Sequence, residues 1–101
     1  MGASTFVTRS SARTVAEAFS EAVRRAQWDH GHSGYTGTIA EKDNFILIDY
    51  EKEKLEDESR GAFMERLIND GDSRIDDKWG PAGCIKADIE ETWYFFGWAS
   101  E

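Results

Sequence analysis

Apolar residues recur at two different periods along the chain, and the change of period marks the elements. Ser4 to Arg9 (STFVTR) mixes β-branched and aromatic residues and predicts a short strand. Thr14-Val15-Ala16-Glu17 fits a capping box, so a helix is expected to start there. Val15, Ala18, Phe19, Ala22, Val23 and Ala26 then follow at helical spacing, with Glu21 and Arg25 as a supporting pair on the polar side. Gly31 is the natural stop. Tyr35–Glu41 and Phe45–Tyr50 are β-rich, and Lys42-Asp43-Asn44 between them suits a hairpin turn. Glu51–Glu58 is charged enough to be solvated. A second helix is predicted from about Glu56 to Asn69, burying Leu55, Phe63, Met64, Leu67 and Ile68. Gly61 weakens it and Gly71 ends it. Residues 70–83 read as a polar loop with the only proline, Pro81. Cys84–Ile89 and Thr92–Ala99 read as a closing hairpin around Glu90-Glu91. The expected fold is α+β in the order β-α-β-β-α-β-β: a single layer of about five mostly antiparallel strands, with two helices packed on one face. The strand order stays open.

The last strand does not alternate. Trp93 and Phe95 point to one face, and Tyr94, Phe96 and Trp98 to the other. One face belongs to the core. The other needs a cover, which is a helix, a second copy or a partner. Trp93, Tyr94, Phe96 and Trp98 are therefore candidate aromatic anchors for a partner.

Composition narrows the class. With 101 residues, 40% hydrophobic and 13% aromatic, the chain suits one domain with one real core. It fits neither disorder nor a disulfide scaffold, and no apolar run approaches the ~20 residues of a membrane span. Cys84 is the only cysteine, so no internal disulfide forms, as in a reducing cytoplasm. The N-terminus carries no secretory pattern; the expectation is a complete small reading frame working in a bacterial host cytoplasm.

Twelve basic and 20 acidic residues give −8, unevenly placed. Residues 1–40 hold four Arg against three acids, which leaves eight basic and 17 acidic residues from 41 onwards. Most of the chain repels a nucleic acid or an anionic membrane, so neither is an expected direct partner. Acidity can serve solubility alone. The sharper reading is a surface of Asp49, Glu51, Glu53, Glu56, Asp57 and Glu58 that docks on a host protein with a basic surface. A homodimer through the terminal strand is a further expectation.

Catalytic signals are weak. The loop Gly31-His32-Ser33-Gly34-Tyr35-Thr36-Gly37 has three evenly spaced glycines and several hydroxyls. Gly31, His32, Gly34, Tyr35, Thr36 and Gly37 are the candidates for an alternative reading, a small nucleotide-like ligand held by this loop. The loop follows a helix C-terminus, however, where the dipole is negative, and there is no Walker lysine. A helix stop bending into a strand explains the same residues. Asp29, His30 and His32 match no zinc spacing. Asp70, Asp72, Asp76 and Asp77 miss the calcium-loop pattern, because Arg74, Ile75 and Pro81 stand at positions it needs. Cys84 in a strand reads as a small buried hydrophobe. No cofactor or metal is expected, and a binding protein is favoured over an enzyme.

Trp28 to Asp43 (WDHGHSGYTGTIAEKD) resembles a motif of small phage and mobile-element proteins, in which an Ala- and charge-rich helix runs into a Gly-Tyr-Thr/Ser-Gly-Thr-Ile element. Gly34, Tyr35, Thr36, Gly37, Thr38, Ile39, Ala40, Glu41 and Lys42 carry the match. The resemblance spans about the first half of the chain and brings no catalytic residue with it. It implies a small accessory protein inside an infected bacterium. Size and acidity alone are similar to those of host-defence inhibitors, anti-CRISPR proteins among them. The resulting expectation is a non-enzymatic protein that binds and inhibits or modulates a host nucleic-acid-handling or defence complex.

Overall fold

The computed structural model describes residues 2–31 and 35–101. The elements run β1 (Ala3–Ser11), α1 (Val15–His30), a 3-10 turn (Ile39–Glu41), β2 (Phe45–Leu47), α2 (Tyr50–Glu53), α3 (Arg60–Asn69), β3 (Ala82–Lys86) and β4 (Thr92–Ser100). The strands form one four-stranded sheet in the order β1-β4-β3-β2. The α+β class holds, with four strands in place of about five. β4 sits between β1 and β3 and is antiparallel to both, whereas β2 runs parallel to β3. The parallel pair needs a crossover, and α2 and α3 supply it.

The expectation of both helices on one face is corrected. Ala18, Phe19 and Ala22 of α1 pack with Ala82 and Cys84 of β3 and Trp93, Phe95 and Ala99 of β4. Phe63, Met64, Leu67 and Ile68 of α3 pack with Ile85 and Phe96, and Tyr94 and Trp98 lie against this second cluster. Alternate residues of β3 and β4 thus feed two cores, one on each side of the sheet. This is why β4 shows no polar alternation: a helix lies over each of its faces.

The N-terminal half of the helix prediction stands. Thr14 caps α1, its side chain accepting from the Glu17 N–H, and Gly31 closes the helix at φ +84°. The segment after it departs from expectation. Tyr35–Glu41 is not a strand and no hairpin joins it to Phe45. The Thr36 hydroxyl donates to Glu41 Oε2 (2.7 Å), and Thr38 caps the 3-10 turn by accepting from the Ala40 N–H. These local side-chain bonds outweigh the β preference of threonine. Phe45–Leu47 pairs with Ala82–Cys84, far along the chain, and the run stops at Leu47 because the Asp49 side chain accepts from the Lys52 N–H and opens α2.

The second long helix starts at Arg60, not near Glu56. Ser59 is its cap, while Asp57 at φ +60° and the Leu55 N–H bonded to Glu58 Oε1 (3.0 Å) close a turn before it. Leu55 is exposed, not buried.

Candidate interaction surface

The acidic segment lies on the α2–α3 crossover, and internal bonds divide it. Asp49 is occupied as the α2 cap. Glu51 lies 3.5 Å from Arg60. Glu53 receives both ends of the Arg74 guanidinium, at 2.8 and 2.9 Å, and Asp72 receives Arg74 at 2.9 and 3.0 Å. Glu58 receives Arg66 at 2.8 and 3.0 Å. Such forked, charge-assisted bonds hold the acids ionised. Arg74 keeps Glu53 and Asp72 below the ordinary carboxylate range, and Arg66, aided by the Leu55 N–H, does the same for Glu58. The arginines shift up in return: Arg74 through its bonds to Asp72 and Glu53, Arg66 through its bond to Glu58. Of the six candidate acids, Asp49, Glu56 and Asp57 are exposed with no ion pair among the described residues, and of these Asp49 is engaged as the α2 cap.

Six of the eight basic residues of the same half are bound within the chain, while Lys52, exposed, and Lys54, half-buried, form no ion pair among the described residues. Lys42 is buried, and its ammonium donates to the carbonyls of Asp77 (3.3 Å), Lys78 (3.2 Å) and Gly80 (2.9 Å). Burial lowers its pKa, and the nearby Asp77 charge partly restores it. Lys86 donates to the carbonyls of Ile89 (2.8 Å) and Thr92 (3.3 Å). Lys78 reaches the Gly2 carbonyl at 3.2 Å. Arg60, Arg66 and Arg74 are held in the pairs above or on backbone. Carboxylates stay outside: Glu56, Asp57, Glu65, Asp70, Asp88 and Glu90 are all exposed. Counter-charges bound against the protein's own carbonyls do less to quench the outward field than free surface lysines would.

The aromatic candidates are placed differently. Phe96 is fully buried and Trp93 nearly so, while Tyr94 and Trp98 are half-buried against the α3-side core. Of the three covers the sequence allowed for this side of β4, a helix is the one present, α3. The exposed aromatics are elsewhere: Trp28 on α1 at 88% and Trp79 at 62%, the latter edge-on to Tyr35 with ring centroids 6.1 Å apart. Both tryptophans stand in polar surroundings off any apolar stripe, the signal that singles them out in the sequence. β4 has no free edge for a second copy, since β1 and β3 occupy both of them.

The described part of the glycine loop is engaged within the chain. The Gly31 N–H bonds to the Gln27 carbonyl. Gly37, at φ +71°, donates to the Ser100 carbonyl (2.7 Å), and a Cβ there would come within 3.1 Å of Ser4 Cβ. The Thr36 N–H and hydroxyl both go to Glu41. Tyr35 is half exposed at φ +58°. His32 and Gly34 lie outside the described residues. Among the described residues no three His, Cys, Asp or Glu converge as metal ligands, and no helix is long and apolar enough to cross a membrane. Cys84 is buried, and burial pushes its thiol up to about 12.

What fold and surface define together is a small α+β protein with a mixed sheet between helices and an outward charge that is acidic. Comparison with family models, curated proteins and solved structures finds no match.

Proposed function

We propose that this chain is a non-enzymatic binding module whose acidic crossover side docks on a basic protein surface, of the kind that nucleic-acid-handling and defence complexes of a bacterial host present. One observation carries the reading: six of the eight cations of residues 41–101 are bound to the chain's own carbonyls and carboxylates, which leaves Lys52 and Lys54 alone among the 17 acids of that half and an outward face with excess negative charge. Glu56 and Asp57 are its free members within the crossover. Glu53 and Glu58 act behind them, holding α2 and α3 in place through Arg74 and Arg66. A surface built this way speeds encounter with a basic partner and discriminates against acidic ones.

The test is capture from bacterial lysate on the tagged chain, followed by elution with salt and with duplex DNA. A stoichiometric basic protein released by both is the expected result. The double variant Glu56→Lys/Asp57→Asn removes the free charge, keeps a residue that tolerates positive φ at 57, and is expected to slow association several-fold. Capture that neither salt, DNA nor this variant weakens overturns the proposal.

A further inference from the structure

We infer that the outer edge of β1 is a docking edge for the β1 strand of a second copy of this chain, paired antiparallel about Val7. The inference does not rest on the acidic surface.

The sheet ends at β1 on one side. On the other it ends at β2, whose three residues offer a partner little ladder. β1 has nine residues and no Pro or Lys, the residues that usually blunt an edge. Its hydrogen-bonding parity follows from the two ends of the β1–β4 ladder. The Ala12 N–H bonds to the Glu91 carbonyl, and the Glu101 N–H bonds to the Gly2 carbonyl. Even-numbered residues of β1 therefore exchange bonds with β4, and odd-numbered ones point their N–H and C=O away from it. Ala3, Thr5, Val7, Arg9 and Ser11 present these groups at the rim, where no hydrogen bond among the described residues closes them.

This rim is self-complementary. An antiparallel copy centred on Val7 sets Val7 against Val7, Thr5 against Arg9 and Ala3 against Ser11. Every outward position then meets an outward position. A shift of two residues in either direction loses one of these pairs. A shift of four toward the C-terminus sets Arg9 against Arg9. The centred register alone uses the whole rim and keeps the like charges apart. It also covers Val7, a β-branched residue 55% exposed on the sheet side that α3 leaves open at β1. Beside the strand, a groove of about 320 Å3 separates Thr5 and Val7 from Ala22 and Ala26 of α1, so the helix does not seal the rim. Charge points to the same edge. β1 and α1 lie in the near-neutral part of an otherwise acidic chain, where two copies repel least.

The experiment is light scattering or sedimentation of the full chain across a concentration series. A mass rising from 11.4 kDa to twice that value is expected. Val7→Lys places two ammonium groups at the dyad and should weaken self-association by roughly tenfold or more. Val7→Pro removes only an outward N–H and spares the β4 ladder, so it should do the same while the far-UV spectrum stays folded. Register is read by cysteine. With Cys84 buried, mild oxidation of Val7→Cys should give a covalent dimer. Thr5→Cys, whose thiols would stand about 14 Å apart along the pair, should not. A monomer at every concentration, a dimer indifferent to both Val7 variants, or equal cross-linking of the two cysteine variants overturns the inference. A foreign extended peptide that pairs with this edge while the chain alone stays monomeric overturns it as well.

Discussion

Phe96 lays its ring against the bare backbone of Gly83, its register partner across the β3–β4 ladder. A Cβ built on Gly83 would fall 2.8 Å from Phe96 Cζ and 2.9 Å from Ile75 Cγ2. The α3-side core closes over the sheet because nothing projects from β3 at that point. Gly83→Ala therefore overpacks a site walled by two fully buried side chains and is expected to cost about 1–3 kcal/mol, read by urea denaturation. Gly61 is the counterpart. It lies in exposed helix, and a Cβ added there would meet nothing within 4 Å, so Gly61→Ala should stabilise by about 0.5–1 kcal/mol.

Lys42 ties the turn before β2 to the loop before β3. Its three ammonium protons match three carbonyls, those of Asp77, Lys78 and Gly80. Lys42→Met keeps the stem and removes the donors, leaving the loop carbonyls without their partner. A loss of about 1–3 kcal/mol is expected, together with looser packing of Trp79, which sits in the same loop. Denaturation and Trp fluorescence polarisation check both parts. Retention of full stability would mean that water replaces the ammonium at little cost.

The Glu53–Arg74–Asp72 and Glu58–Arg66 bonds make stability depend on acid in one direction. All three carboxylates are held below their ordinary values in the folded chain. An unfolded chain therefore binds more protons once the pH nears the ordinary carboxylate range, about 4, and stability falls from there downwards. Above about pH 5 the contribution is complete and flat. Thermal melts from pH 7 to 3 should show this step. Arg74→Gln should shrink it by freeing Glu53 and Asp72 to titrate normally.

The parts of the fold that were legible in the sequence are those written locally. Thr14 and Glu17 announce α1, and its apolar stripe says which side is buried. The aromatic run 93–98 announces a strand covered on both faces, although it does not name the second cover. Residues 35–41 misled because threonine and tyrosine favour strands, whereas Thr36, Thr38 and Glu41 bond among themselves once Lys42 turns inward. Nothing beside Lys42 in the sequence marks it as buried, since its carbonyl partners lie 35 to 38 residues away. Pairing of β2 with β3 is non-local in the same way. The acidic stretch was visible as charge. That Glu53 and Glu58 are consumed by Arg74 and Arg66, and Glu56 and Asp57 are not, depends on the crossover bringing those arginines back. The open rim of β1 is likewise a matter of strand order, which residue patterns leave undetermined.

Cys84 reports on all of this as a natural probe. It lies at the centre of the α1-side core, fully buried beside Ala82 and Phe95, with its thiol pushed up to about 12. At pH 8 its thiolate fraction is about one in ten thousand, and reagent has no path to the sulfur. Labelling by a thiol-specific reagent should therefore be negligible in the folded chain and complete in denaturant. Where folding is fast relative to labelling, the residual rate follows the population of open molecules and hence stability. Gly83→Ala and Lys42→Met should then raise it by roughly fivefold for each kcal/mol lost, and Gly61→Ala should lower it. Rapid labelling of the native chain, insensitive to these substitutions, would show that β3 opens locally without the rest of the sheet.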